Sequence, residues 1–137
     1  MEIVINKCYG GYGLSNRAVE LWLIKKNIPI AVNGVKSGKY HKYYIVGEND
    51  VFNANDIKRH DPVLVEVVRE LGKESWGSSA ELAIVWAPDG CEYYIDEYDG
   101  MESIETWFQV SKQDLLKGLS PERIEQLKSA DSIKIVD

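Results

Sequence analysis

The sequence predicts an α+β fold with a mostly antiparallel sheet, two packing helices and a C-terminal helical extension. Three observations predict it: short β-branched runs between turn residues, two amphipathic segments with helix caps, and a length of 137 residues. That length fits a single domain over residues 1–137, in which residues 110–137 form a candidate C-terminal extension.

The first predicted elements are a strand and a helix joined by a glycine-rich segment. The strand covers residues 2–7, where Ile3, Val4 and Ile5 form a β-branched run. Ser15 is the predicted N-cap of the helix. The helix has a wide apolar stripe and is expected to end before Pro29, which restricts the backbone of the preceding residue.

Two short strands and a second helix are predicted next. The strands cover residues 30–32 and 40–46, with a turn at Asn33-Gly34 between them. The second helix covers residues 61–71, because Asp61 is a favoured N-cap and Pro62 a favoured first helical residue. Its buried stripe is predicted to pack on the sheet and consists of Leu64, Val65, Val68 and Leu71.

The C-terminal half is predicted to be a meander followed by short helices. Residues 81–86 are apolar on both faces and therefore predict a central strand. The turn at Pro88-Asp89-Gly90 predicts a hairpin with residues 91–97, and Asp99-Gly100 predicts a turn into residues 102–108. Helix starts at Ser111 and Ser120 and a last strand at residues 133–136 complete the pattern.

Composition and charge exclude several classes of protein. The chain is 45% hydrophobic and 28% charged, which excludes a disordered protein, and its net charge of −6 disfavours duplex nucleic acid as a partner. No apolar run approaches the roughly 18–20 residues that span a bilayer. The first residues lack the layout of a signal peptide, which predicts a cytoplasmic protein with Cys8 and Cys91 as free thiols.

The charge is unevenly distributed along the chain. Residues 1–73 carry a net charge of +3, residues 74–111 carry −9 without a single lysine or arginine, and residues 112–137 are neutral. Such an uneven distribution of charge is typical of a protein with two functional faces, or of a sheet with one solvent-exposed acidic face.

Three segments resemble a family of small proteins encoded by bacteriophages and prophages. The first reads Ile5-Asn6-Lys7-Cys8-Tyr9-Gly10-Gly11-Tyr12-Gly13-Leu14-Ser15. The second begins at Arg59 and runs through the second predicted helix to Gly72, and the third is Ile95-Asp96-Glu97-Tyr98-Asp99-Gly100. The resemblance implies an origin in a phage or prophage and a shared fold unit. It implies no reaction and transfers no functional residue.

The glycine-rich segment is the first candidate site. Backbone N–H groups at a strand-to-helix junction bind phosphate or carboxylate groups, although a tight structural turn also explains the glycines. The candidate ligand-binding residues here are Gly10, Gly11, Gly13, Ser15 and Arg17. Lys39 and Lys42 belong to a stretch of interleaved lysines and tyrosines that could close over the anion or merely protect a strand edge.

Two further candidate sites lie in the acidic part of the chain and beside the second helix. Asp96, Asp99 and Glu102 would hold a divalent metal if their strands converged, whereas a solvated sheet face explains the same carboxylates. Arg59 and His60 precede a helix N-terminus, which favours an anion, a general base or a capping role.

The four tryptophans divide into two pairs. Trp22 and Trp86 lie on apolar stripes and are predicted to be in the core. Trp76 lies in a loop and Trp107 near a strand end, which makes both candidates for lining a ligand pocket.

The leading hypothesis is a non-catalytic cytoplasmic protein that binds a small phosphorylated or nucleotide-like ligand, without a cofactor or metal. The alternatives are a metal-dependent hydrolase that uses the acidic cluster, and an acidic interaction module that occupies a host DNA-binding protein. A strand that is apolar on both faces in so short a chain also predicts a homodimer.

Overall fold

The computed structural model describes residues 1–30, 36–37 and 40–137. Within these residues the helices and strands confirm the α+β class. The strands are β1 (Glu2–Asn6), β2 (Lys36–Ser37), β3 (Tyr40–His41), β4 (Leu82–Trp86), β5 (Glu92–Tyr98), β6 (Met101–Ser111) and β7 (Ser132–Val136). The α-helices are α1 (Asn16–Lys25), α2 (Pro62–Leu71), α3 (Lys112–Lys117) and α4 (Pro121–Leu127).

β1 is the strand on which both halves of the core pack. It pairs antiparallel with β4, from Glu2 opposite Trp86 to Asn6 opposite Leu82. Because side chains alternate along a strand, Val4 packs among the residues of α1 and α2, whereas Ile3 and Ile5 pack on the opposite face. The β-branched run predicts this strand correctly, and the fold explains why its apolar residues are consecutive.

Both main helices begin at the caps predicted for them. The Ser15 hydroxyl accepts a hydrogen bond from the Ala18 N–H at 3.1 Å, and the Asp61 carboxylate accepts one from the Leu64 N–H at 3.1 Å. The buried stripe of α2 consists of Leu64, Val65, Val67 and Val68. Leu71 is only half-buried.

β5, β6 and β7 form the second sheet. β5 and β6 pair antiparallel around the predicted turn, where Asp99 and Gly100 both have positive φ angles, of 51° and 88°. β7 pairs with β6 in parallel, from Trp107 opposite Ser132 to Ser111 opposite Val136. This direction is possible because α3 and α4 carry the chain from the end of β6 back to Trp107. The inner face of this sheet carries Phe108 and Val110, which pack with Ile3 and Ile5.

The predicted hairpin between residues 81–86 and 91–97 is wrong. β4 pairs with β1, whereas β5 pairs with β6, so the turn at Pro88-Asp89-Gly90 carries the chain from one sheet to the other. The strand buried on both faces is β1 and not β4. Trp86, at the end of β4, is 71% exposed, in contrast to its predicted place in the core, while Trp22 is buried as predicted.

The segment between α1 and α2 contains little regular structure among its described residues. The predicted strand over 40–46 is reduced to β3 and isolated bridges from Ile45 to Ile30 and from Tyr44 to Val51. The predicted turn at Asn33-Gly34 lies outside the described residues. A short 3₁₀ helix, Ala54–Asp56, precedes α2.

Leu64→Ala tests the packing of α2. The side chain of Leu64 is fully buried, so its truncation is expected to lower the free energy of unfolding by about 3 kcal/mol through lost transfer energy and a cavity. Urea denaturation measures the change. The matched control is Ile24→Ala on α1, because Ile24 is 65% exposed, and it should change stability by less than about 0.5 kcal/mol. Equal effects in both variants would contradict the packing described here.

Candidate functional site

The glycine-rich segment is packed tightly against two other loops. The N–H of Gly11 donates a hydrogen bond to the carbonyl of Ser79 at 2.9 Å. A Cβ atom at Gly10 would lie 1.8 Å from the same carbonyl oxygen, and one at Gly100 would lie 2.1 Å from the carbonyl oxygen of Gly10. Side chains at Gly10 and Gly100 would therefore collide with backbone. These glycines allow three backbone segments to meet.

Other groups of the predicted anion site also have partners within the chain. The Ser15 hydroxyl donates to the carbonyl of Glu74 at 2.6 Å while it caps α1, and the guanidinium of Arg17 pairs with the Glu74 carboxylate at 2.7 Å. Lys42 is exposed, and Lys39 lies outside the described residues. Gly13 accepts a hydrogen bond from the N–H of Gly77 at 2.9 Å. Anion binding at this junction stays a prediction.

Arg59 and Glu102 form a buried ion pair beside β1. The guanidinium of Arg59 donates to both carboxylate oxygens of Glu102, at 2.7 and 2.9 Å, and Glu102 is only 6% exposed. One carboxylate oxygen also accepts the backbone N–H of Asn6 at 2.8 Å. The backbone of Arg59 accepts the N–H of Val4 at 2.8 Å, and its side chain donates to the carbonyl of Val4 at 3.2 Å. Arg59 and Glu102 thus provide partners for both backbone groups of Val4 and for the N–H of Asn6.

The side chain of Asn6 extends this network into the surrounding loops. Its amide nitrogen donates to the carbonyls of Cys8 and Gly100, at 2.9 and 2.7 Å. Its amide oxygen accepts the N–H of Glu81 at 2.8 Å and the thiol of Cys8 at 3.3 Å. Asn6 is completely buried, and both polar atoms of its side chain have partners. Cys8 and Cys91 are both free thiols.

Tyr12 covers the ion pair. The guanidinium carbon of Arg59 lies 3.2 Å from the centre of the Tyr12 ring, a stacked cation–π arrangement. The hydroxyl of Tyr12 is buried and has no hydrogen-bond partner among the described residues. Burial raises the pKa of Tyr12 to about 12; the positive charge of Arg59 opposes this rise and the negative charge of Glu102 adds to it.

His60 belongs to a different contact from the one predicted. Its Nδ1 atom lies 2.7 Å from the hydroxyl of Tyr93, so the strand β5 holds the ring in place. His60 lines a cavity of about 620 Å³ that also contacts Glu2, Glu66 and Arg69. The neighbouring Arg59 is engaged by Glu102, which separates the two basic residues that the sequence places side by side. Sequence reasoning missed Tyr93, because only the sheet packing brings it to His60.

The outer face of the second sheet turns away from the core and combines carboxylates with aromatic rings. We use this name for Glu92, Tyr94, Asp96, Tyr98, Ser103, Glu105, Trp107 and Lys134, which the strand registers place on one side of the sheet. Tyr94 is 46% exposed and Tyr98 is 77% exposed, and the three carboxylates are exposed as well. The charges of Asp96 and Glu105 raise the pKa of the Tyr94 hydroxyl, as does its slight burial.

Trp107 lies on the central strand of the outer face. The ammonium group of Lys134 is 3.8 Å from the centre of the Trp107 ring, and the Tyr94 ring lies 6.5 Å from it at a tilt of 52°. The indole N–H of Trp107 is buried and has no partner among the described residues. Trp76, by contrast, bridges to Leu14 and packs against the helices on the other side of β1. The structure therefore does not bring the two candidate tryptophans together.

The carboxylates of the proposed metal cluster are also separated. Asp96 lies on the outer face, whereas Glu102 points to the inner face and binds Arg59. Asp99 lies in the turn between the two strands. In the part of the chain that the structure describes, no group of three or more His, Cys, Asp or Glu side chains could hold a metal ion.

Comparisons with known proteins give no indication of function, so the proposal below is based on the geometry of the structure. No family model, curated protein or solved structure matches this chain. The described helices include none that is long and apolar enough to cross a bilayer. The origin in a phage or prophage stays a prediction of the sequence motifs.

Glu102→Gln tests the buried ion pair. The amide keeps the size of the side chain but leaves the charge of Arg59 without its partner, so we expect stability to fall by about 3 kcal/mol. This is the low end of the range for buried pairs, because the Arg59 side chain is 18% exposed. Urea denaturation measures the loss, and the exposed Glu105→Gln is the matched control. A loss below about 1 kcal/mol would show that the pair is not required.

Tyr12→Phe tests the buried hydroxyl by its pH dependence. A raised pKa of Tyr12 stabilises the folded state fully below pH 10, and this contribution is lost as the pH rises towards about 12. The variant should therefore lose less stability than the wild type between these pH values. At neutral pH its stability should be unchanged or higher by about 1 kcal/mol, because an unpartnered polar group is removed. Tyr9→Phe, at a 65% exposed side chain, is the control and should behave like the wild type.

Proposed function

We propose that the protein is a non-catalytic binding module whose outer face holds a lysine- or arginine-rich segment of another protein. The observation that carries this proposal is the contact between Lys134 and Trp107. There an ammonium group already lies over an aromatic ring on an acidic sheet face, at 3.8 Å from the ring centre. A basic segment of a partner would repeat this contact on neighbouring rings.

Electrostatics supports a basic partner. The segment 74–111 carries nine carboxylates and no lysine or arginine, and it includes both long strands of the second sheet. Glu92, Asp96 and Glu105 bring three of these charges to the outer face. A surface of one sign attracts ligands of the opposite sign and accelerates their encounter.

The aromatic residues supply the contact energy that exposed charges lack. Exposed ion pairs contribute about 0.2–1 kcal/mol each to binding. A cation placed over an exposed aromatic ring adds a further contribution of about 0.5–1 kcal/mol. Tyr94, Tyr98 and Trp107 lie among the carboxylates of the outer face. Lysine and arginine side chains would bind both kinds of group at once.

This proposal is favoured over a small phosphorylated ligand. The Gly11 N–H, the Ser15 hydroxyl and the Arg17 guanidinium, which such a ligand would need, are engaged in contacts within the chain. With the origin that the motifs imply, the proposed partner is a basic, nucleic-acid-binding host protein, and the proposed setting is the bacterial cytoplasm. The protein would occupy the surface that such a partner otherwise offers to nucleic acid.

The double variant Asp96→Asn/Glu105→Gln tests the proposal. Calorimetric titration with a synthetic peptide of alternating arginine and glycine should show binding to the wild type that weakens with added salt. Loss of two carboxylates on the outer face should lower the affinity about tenfold, which corresponds to about 1.4 kcal/mol.

The control Glu122→Gln/Glu125→Gln removes the same charge from the exposed surface of α4. It should bind the peptide as the wild type does. If both double variants weaken binding equally, only the net charge matters and the outer face is not the site. If the wild type does not bind the peptide at low salt, the proposal is wrong.

A further inference from the structure

The C-terminal helices and β7 enclose an apolar groove on the surface. Its volume is about 350 Å³, and it is lined by Leu115, Leu119, Ile124, Leu127, Ile133 and Ile135. Ile133 and Ile135 lie opposite the buried Phe108 and Val110 in the parallel register, so the groove continues the core outward. We call these six residues the C-terminal groove.

The elements that line this groove carry apolar side chains that are exposed to solvent. Leu116 is 88% exposed, and within the groove Ile133 and Ile135 are 48% and 58% exposed. Single exposed apolar residues are common on protein surfaces, whereas a contiguous exposed apolar patch is typical of an interaction site. Leu116 follows the groove residue Leu115 on the same short helix, so the chain offers a second copy both an exposed apolar side chain and an apolar groove.

One edge of the strand β7 is unpaired among the described residues. Within the described part of the chain β7 pairs with β6 alone, and all five of its residues are exposed. Edge strands pair readily with another chain unless charge or covering elements prevent it. Antiparallel pairing of two β7 strands about a two-fold axis would join two sheets, with the isoleucines of both copies on one face.

The charge distribution favours a second copy of this chain as the partner of the C-terminal groove. The chain carries a net charge of −6, yet residues 112–137 contain five basic and five acidic residues. Two copies that meet through this segment therefore avoid the repulsion that any contact through the acidic segment 74–111 would produce. Charged residues of both signs are interspersed in the sequence with the groove residues, including Lys117 and Arg123 with Asp114 and Glu122, so a second copy can supply opposite charges across a two-fold axis.

From these observations we propose that the C-terminal groove, Leu116 and the edge of β7 form an isologous interface with a second copy of this chain. Leu116 of each copy enters the groove of the other. The acidic outer faces of the two copies remain free. This interface does not depend on the binding activity proposed for the outer face.

Leu116→Asp tests the interface by sedimentation velocity. The wild type should sediment as a dimer at tens of micromolar, and the variant should have a dissociation constant at least about tenfold higher. The substitution lies at a solvent-exposed position, and an unchanged far-ultraviolet circular dichroism spectrum verifies that the variant folds. The matched control is Ile24→Asp, which adds the same charge at an apolar residue of α1 that is 65% exposed.

A dimeric wild type and control, with a monomeric Leu116→Asp, would support the interface. A monomeric wild type at these concentrations overturns it. A dimer that persists in Leu116→Asp places the contact elsewhere and also overturns it. Equal dissociation of both variants overturns it as well, because the effect would then come from charge and not from position.

Discussion

The ion pair between Arg59 and Glu102 is the interaction on which the arrangement of the two sheets depends. β1 lies between the two halves of the core, but among the described strands it pairs with β4 alone, so its other edge would bury unpaired backbone groups. An unsatisfied buried N–H or carbonyl costs about 1–3 kcal/mol. Arg59 and Glu102 supply partners for both backbone groups of Val4 and for the N–H of Asn6, and the pair also joins the segment before α2 to β6.

Residues of the three sequence motifs, 5–15, 59–72 and 95–100, meet around this pair. Asn6 and Gly10 come from the first motif, Arg59 from the second and Gly100 from the third. Their contacts are hydrogen bonds between loops and backbone approaches that leave no room for a side chain. A glycine-rich segment at a strand-to-helix junction can bind an anion or hold loops together, and here its neighbours are the protein's own carbonyl groups.

The surface of the molecule separates two kinds of chemistry. The outer face of the second sheet concentrates carboxylates around Tyr94 and Trp107, whereas the C-terminal groove is apolar and set in a neutral segment. The inner face of the same sheet packs on β1, so the constraints of folding and of binding act on opposite sides of its strands. Alternation of side chains along a strand makes this division possible.

The sequence by itself determined the features that depend on neighbouring residues. The caps Ser15 and Asp61 and the turn at Asp99-Gly100 are local hydrogen-bond and φ requirements, and each occurs where the residues predict it. The tertiary structure decided which strands pair and which face is covered. Apolar residues in β4 do not distinguish a central strand from an edge strand. Trp86 is exposed because the strand that packs between the two halves of the core is β1 and not β4. Likewise, alternation places Asp96 and Glu102 on opposite faces, but only packing against β1 buries one and leaves the other to solvent.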